Sequence, residues 1–345
     1  MSSTTATPAA TTPAKQTSAV SRFSLARLND VRDWGVIPVF RKEVADHLGS
    51  RRFAILFAVI VIAGVLATYQ AGQSIQADLA KQPDQSFVFL RLFTSGNPVS
   101  FVSFIAFLGP LLGVAFGFDA INSELNRGTL GRLLSQPIYR DDVINGKFLA
   151  GLVTIAVTLL CIFIIVGGLG LRMIGVPPTA NELMRLLIFF GISVVYVGFW
   201  LALSMLFSIL SRQAATSALS SLAAWLFMAI FVTILAGFLA GIFYPANDNS
   251  ATQQVLDHVQ LQQNISRASP AALYAEATSA ILDPELRTTS GLVLLSEAQG
   301  MVPGTLSLNQ SLLLVWPDLT ATIALTAICF GVAYYAFLRQ EVRTL

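Results

Sequence analysis

Residues 148–171 read FLAGLVTIAVTLLCIFIIVGGLGL, and this stretch contains no Asp, Glu, Lys, Arg or His. A helix needs about 20 apolar residues to cross a hydrocarbon core of about 30 Å. Further uncharged stretches lie at 53–70, 99–118, 186–210, 219–244 and 319–338. The sequence therefore predicts an all-α membrane protein with six transmembrane helices in a domain at 53–338.

The composition points to the same class of protein. Hydrophobic residues make up 54% of the chain and charged residues 12%, whereas soluble domains have about 25% charged residues. Acids and bases inside a membrane usually mark proton relays or ion paths. Because the six apolar stretches contain none, the sequence argues against an ion-coupled transporter.

The distribution of basic residues predicts the orientation of the chain. Fifteen of the 21 Lys and Arg residues lie before residue 53, in 119–147, in 211–218 or after 338. Basic residues near the ends of spans favour the cytoplasmic side. We therefore expect a multi-pass protein of the plasma membrane with both termini in the cytoplasm, including a disordered tail at 1–30 and a short tail at 339–345.

An amphipathic segment, 36–52, precedes the first span. Its apolar residues recur at helical spacing on one face, and they are Ile37, Phe40, Val44 and Leu48. Its charged residues, among them Arg41, Lys42 and Glu43, fall elsewhere. This pattern is typical of an elbow helix that lies along the inner membrane interface; the alternative is an ordinary cytosolic helix before a span.

Small residues recur every four positions in the second span, at Gly109, Gly113 and Gly117. Such a stripe lets two helices approach closely. It predicts either a dimer seam or moving gate, or packing against a neighbouring span of the same chain.

The segment 245–318 is too polar to span and is expected to be external. Within it, 270–282 is predicted to be helical because Pro270 suits a first turn and Ser269 can cap it. Residues 252–265 are a weaker helix candidate. These helices would cover the exit side of the membrane or contact an extracytoplasmic partner.

The loop between spans two and three, 119–147, carries the most informative motif. Gly128 ends one helix, Thr129 can cap the next, and Pro137 ends it. Leu130, Leu133 and Leu134 give that short helix an apolar face. A short apolar-faced helix between two spans is suited to docking into a groove on another protein.

This loop resembles that of type-2 ABC transporter permeases. The residues that carry the resemblance are Glu124, Arg127, Gly128-Thr129-Leu130, Leu133-Leu134-Ser135-Gln136-Pro137, Arg140 and Gly146-Lys147. The six spans, the elbow and the large loop before the last span are also similar to that family, particularly to permeases of the nitrous-oxide-reductase maturation type. The similarity covers about residues 36–340.

The resemblance implies a set of partners and roles. A cytosolic ABC ATPase, in two copies, would dock on a coupling helix formed by Glu124 and residues 128–134, aided by Arg41, Lys42 and Glu43. A second permease copy, identical or related, would complete the pathway within membrane lipids. The resemblance also implies export and gives no role to nucleic acid.

The chain itself lacks the phosphate-binding motif of an ATPase. That motif is Gly-x-x-x-x-Gly-Lys-Ser/Thr, but here Gly146-Lys147 is followed by Phe148 and Asp141 stands where Gly is required. We therefore expect no catalytic residue, cofactor or metal in this chain, and ATP and Mg²⁺ in the partner ATPase.

Other function classes are considered beside this one. A membrane enzyme would need several carboxylates around one metal, whereas Asp141-Asp142 is an isolated pair suited to helix capping. His47 and His258 fall on opposite sides of the membrane and are expected to be solvated. An ATP-independent scramblase or channel, and a scaffold that transmits ATPase motion to an external partner, stay open as alternatives.

Overall fold

The computed structural model describes residues 35–81, 87–95, 100–126, 128, 139–245, 252–284 and 306–339. Every regular element in these segments is a helix. The predicted tails at 1–30 and 340–345, most of the predicted coupling helix and the segment 285–305 lie outside the described residues.

Eleven helices follow one another along the described residues. They are α1 (Val36–Leu48), α2 (Arg51–Leu79), α3 (Val88–Thr94), α4 (Phe101–Gly117), α5 (Asn122–Asn126), α6 (Arg140–Ile174), α7 (Ala180–Leu210), α8 (Ala214–Phe243), α9 (Thr252–Ser266), α10 (Pro270–Leu282) and α11 (Leu308–Arg339). A π-helical turn, Phe227–Phe231, interrupts α8.

Six of these helical segments are long and apolar enough to cross a membrane. They are α2, α4 together with α5, α6, α7, α8 and α11. The prediction of six spans in an all-α protein is therefore confirmed. Most of these helices extend beyond the uncharged stretches into neighbouring polar residues. Helix α11, for example, begins at Leu308, well before the predicted start at residue 319.

The longer helices bring charged side chains into the bundle that the uncharged stretches do not contain. Lys147 on α6, Glu182 and Arg185 on α7, and Asp318 on α11 are all buried. The sequence argument from uncharged stretches thus describes the middle of the bundle and not its two ends.

The centre of the bundle is α7, of whose most apolar segment two thirds is buried. Helix α4 packs along it through the glycine stripe. A Cβ atom on Gly113 would lie 2.7 Å from the carbonyl oxygen of Val197, and one on Gly117 would lie 2.7 Å from Cβ of Ser204. The stripe therefore packs against a helix of the same chain, the second of the two alternatives for these glycines.

The two ends of the bundle differ in their additional helices. Helices α1 and α5 lie at the end where α6 begins, and we call this the α1 end. Helices α3, α9 and α10 lie at the other end, which we call the α10 end. Helix α10 packs on α7 and α11, and both helices predicted in this segment are confirmed. Ser269 precedes Pro270 as expected, but its side chain makes no capping hydrogen bond.

Candidate functional site

Four charged side chains meet at the α1 end of the bundle. The ammonium nitrogen Nζ of Lys147 lies 2.7 Å from Oε1 of Glu43 and 3.1 Å from Oε1 of Glu124. Nζ of Lys42 lies 3.1 Å and 3.5 Å from the same two oxygens. The Lys147 side chain is 4% exposed, whereas that of Lys42 is 52% exposed. We call these four residues the charge cluster.

The charge cluster joins three elements that are far apart in sequence. Glu43 comes from α1, Glu124 from α5 and Lys147 from the first turns of α6. Two carboxylates face two ammonium groups, and Lys42 also pairs with Asp46, with 3.6 Å between Nζ and Oδ2. A buried ion pair fixes geometry more surely than it adds stability, because both charges must be removed from water. The cluster therefore holds α1, α5 and α6 in one arrangement.

Electrostatics within the cluster favours the charged forms of Glu43 and Lys42. Burial opposes ionisation of Glu43, but the Lys147 and Lys42 ammonium groups outweigh it and hold the pKa of Glu43 below its ordinary value. Burial also opposes protonation of Lys42, yet Glu43, Glu124 and Asp46 raise the pKa of Lys42. The Glu43 carboxylate thus depends on the cations around it.

Close backbone packing reinforces the contact between α1 and α6. A Cβ atom on Gly146 would lie 3.0 Å from Cγ1 of Val39. Val39 and Glu43 are one helical turn apart and both are buried. The apolar residues Ile37 and Leu48, on the opposite side of α1, are about half exposed. Helix α1 therefore buries one face in the protein and leaves Ile37 and Leu48 of its apolar face uncovered, while Phe40 and Val44 are partly buried.

The turn between α4 and α6 is anchored at several points. Arg52 Nη1 donates to Asp119 Oδ2 at 2.6 Å. The backbone N–H groups of Ile121 and Asn122 donate to Ser208 Oγ at 3.1 and 3.3 Å. Asn126 Nδ2 donates to the carbonyl oxygen of Arg212 at 2.9 Å. The segment that leads to Gly128 is therefore tied to both α2 and α7.

A capping interaction begins α6 after the segment that lies outside the described residues. Tyr139 N–H donates to Asp142 Oδ2 at 3.3 Å. This is the helix-capping role that the sequence predicts for the Asp141-Asp142 pair. Arg140 Nη1 also donates to the carbonyl oxygen of Leu338, at 3.4 Å, which places the end of α11 beside the start of α6.

His47 is less solvated than the sequence suggests. Its imidazole ring packs on Phe116 with 4.7 Å between ring centroids. Burial lowers the pKa of His47, and Lys147 acts in the same direction, although Glu43, Asp119 and Asp46 oppose the change. The expectation of a solvated His47 is therefore wrong, because α1 lies against α4 at this point.

The structure describes only some of the residues predicted to contact an ATPase. Glu124 and Gly128 are described, and Gly128 has a left-handed φ of 65°, which favours glycine at this turn. Arg41 is exposed. The remaining predicted residues lie outside the described residues: Arg127, Thr129, Leu130, Leu133, Leu134 and Pro137.

Sequence reasoning assigned no role to Lys147 beyond its place in a Gly-Lys motif. The sequence feature that could have identified Lys147 is its position as a single cation directly before the uncharged stretch of α6. A lysine there needs a carboxylate partner once helices surround it. The partner on α1 could not be identified from spacing, because Glu43 and Lys147 are 104 residues apart.

Comparisons with known proteins agree with this architecture. The family model described as ABC-2 family transporter protein matches residues 37–342. The chain is 27% identical over 198 residues to a probable ABC transporter permease protein NosY of Pseudomonas aeruginosa, covering 56% of this chain and 66% of that protein. It is 31% identical over 152 residues to a probable ABC transporter permease protein NosY of Stutzerimonas stutzeri, covering 39% of this chain and 48% of that protein.

Both alignments span less than two thirds of the relatives' own length. The family model, by contrast, covers the chain from α1 to beyond the end of α11. It includes all six candidate spans, the charge cluster and the loop that carries Gly128. The chain therefore belongs to the ABC-2 family of transporter proteins, and its six long apolar helices make it a multi-pass membrane protein.

Proposed function

We propose that this chain is the permease of an ABC exporter in the plasma membrane, with both termini in the cytoplasm. Two permease copies would work with two copies of a cytosolic ATPase, which would bind ATP and Mg²⁺. Family membership supports this role, and the concentration of basic residues in the sequence segments 1–52, 119–147, 211–218 and 339–345 supports its orientation.

The main structural support for this proposal is the charge cluster. The ATPase would press on the loop around Gly128, which connects α5 to α6. Because Lys147 binds carboxylates on both α1 and α5, a force on this loop reaches α1 and α6 together. The loop, α1 and the first turns of α6 would therefore move as one platform during the ATPase cycle.

Burial divides the predicted contact residues into two groups. Glu43 is 7% exposed and Glu124 is 9% exposed, so these side chains hold the platform together. Arg41 and the turn at Gly128 are exposed and are available to the ATPase. An interfacial α1 would place its uncovered apolar face, which includes Ile37 and Leu48, against lipid.

Closure of the two ATPases would then rock the platforms and open a path between the permease copies. A partner shifts such an equilibrium only through different affinity for the two states. The ATPase must therefore bind the platform more tightly in one of the two conformational states.

The test is co-purification of the tagged chain with its ATPase, followed by measurement of ATP hydrolysis. The double variant Gly128→Pro/Leu134→Asp places a rigid φ and a charge in the proposed contact. We expect loss of the ATPase subunit and of permease-stimulated hydrolysis. Val176→Asp adds a charge to an exposed position at the α10 end and should retain both. Full co-purification with the double variant would refute the docking assignment.

A further inference from the structure

Asp318 is a buried carboxylate without a partner among the described residues. It lies on α11 and is 6% exposed. Its backbone carbonyl accepts a hydrogen bond from Thr322 Oγ1, but no described group donates to its side chain or forms an ion pair with it. A buried polar group that lacks a partner destabilises the fold, and a charged one does so more strongly.

Asp318 lines a narrow cleft between α7, α10 and α11 at the α10 end. Tyr196 and Tyr274 form the aromatic part of the cleft, and Ile192, Leu273 and Leu319 form its apolar part. The accessible volume is about 10 Å³, which is roughly the room that one water molecule needs. The group that meets Asp318 must therefore be small.

Among the described residues, the charges around the cleft leave one negative charge uncompensated. The charged side chains that act on Asp318 are Glu276 and Arg267. These two form an ion pair with each other, with 2.8 Å between Arg267 Nε and Glu276 Oε2. The cleft is therefore complementary to a cation.

The lining favours an ammonium group over a metal ion. The two tyrosine rings stack on each other with 4.3 Å between centroids, so they contribute aromatic carbon to the lining. Their hydroxyl groups already bond Ala106 O and Ser193 Oγ. Hard metal ions require about six or more oxygen ligands, whereas an ammonium group needs an acceptor and tolerates carbon around it.

We propose that this cleft binds a primary ammonium group, with Asp318 as its counter-ion and the apolar residues contacting the attached carbon chain. The ammonium group belongs either to the headgroup of an aminophospholipid or to a free alkylamine. The inference requires a membrane location for the chain and does not depend on the proposed ATPase partnership.

The probes are phosphatidylethanolamine, phosphatidylcholine, phosphatidylglycerol and octylamine. Native mass spectrometry of the full chain released from nanodiscs measures lipid retention, and a thermal-shift titration measures octylamine binding. We expect Asp318→Asn to weaken binding of the ammonium ligand about tenfold or more, the effect of losing one hydrogen bond to a charged group. Ala277→Leu should also weaken it, because it fills the cleft while keeping the carboxylate.

Asp257→Asn is the matched control, since it removes the same charge from α9 outside the cleft and should bind like the wild type. Selective retention of phosphatidylethanolamine supports the lipid source, and binding of octylamine alone supports the free amine. Equal retention of phosphatidylcholine, unchanged binding by both cleft variants, or no saturable binding of either amine would overturn the proposal.

Discussion

Lys147 is the cation on which the α1 end of the bundle depends. Removing it leaves the carboxylates of Glu43 and Glu124 buried beside one half-exposed lysine. Breaking a buried ion pair by deleting one partner costs about 3–5 kcal/mol. We therefore expect Lys147→Met to lower the free energy of unfolding by about that amount, measured by denaturant titration in detergent.

The control is Lys42→Met, which removes a cation of the same cluster that is half exposed. Solvent-exposed ion pairs contribute about 1 kcal/mol or less, so this variant should be nearly as stable as the wild type. Equal destabilisation by the two substitutions would mean that burial does not distinguish the two lysines.

Acidic pH should destabilise the α1 end through His47 and Glu43. Both groups have a pKa below the ordinary value, 6.5 for His and 4.5 for Glu. A folded-state pKa that is depressed gives stability that is present above the ordinary value and lost as pH falls. The melting temperature should therefore decrease below about pH 6.5 through His47 and decrease further below about pH 4.5 through Glu43.

His47→Gln separates the two contributions, because glutamine does not titrate. As the pH falls below about 6.5, this variant should lose less stability than the wild type, and it should keep the further loss that begins below about pH 4.5. An identical pH profile for the two proteins would show that His47 does not contribute to the loss of stability at acidic pH.

At the scale of helices, sequence patterns predicted where the helices lie better than they predicted which helices contact one another. The period of apolar residues gave α1, and the uncharged stretches gave all six spans. Helix α3 was missed because Val88–Thr94 is short and lies in a segment expected to be a loop. Its five buried residues and the bond from Phe89 N–H to Glu182 Oε1, at 3.0 Å, stabilise it, and such a contact 93 residues away is invisible to local patterns.

The candidate site shows the same limit. The turn residue Gly128 follows from local backbone chemistry, and its positive φ agrees with the predicted helix break. The pairing of Glu43 with Lys147 requires the angle between α1 and α6, which tertiary packing determines. Sequence reasoning therefore found both carboxylates but assigned them to the surface, although each is less than 10% exposed.

A cross-link can test whether α1 and α6 move together. Cβ of Val39 lies 3.1 Å from the position of a Cβ atom on Gly146, close to the separation of about 3.8 Å in disulfides. In a background with Cys161 and Cys329 replaced by Ser, Val39→Cys/Gly146→Cys should form a disulfide. If the platform is rigid, permease-stimulated ATP hydrolysis should be the same before and after oxidation.

The matched pair is Ile37→Cys/Gly146→Cys, in which Ile37 lies on the uncovered face of α1 and should not cross-link. Loss of ATP hydrolysis on oxidation of Val39→Cys/Gly146→Cys, restored by a reductant, would show that α1 must separate from α6 during the cycle.

For the whole molecule, the two ends of the bundle predict opposite sides of the membrane. Fifteen of the 21 basic residues lie in the sequence segments 1–52, 119–147, 211–218 and 339–345, whose described parts include α1 and the start of α6. Basic residues near span ends are retained in the cytoplasm. In the background without native cysteines, a membrane-impermeant maleimide added to intact cells should label Val176→Cys and leave Arg41→Cys unlabelled. Both positions should react after permeabilisation, since both are exposed. Labelling of Arg41→Cys alone in intact cells would contradict the predicted orientation. The charge cluster and its proposed ATPase contact would then lie outside the cell, where a cytosolic ATPase cannot bind.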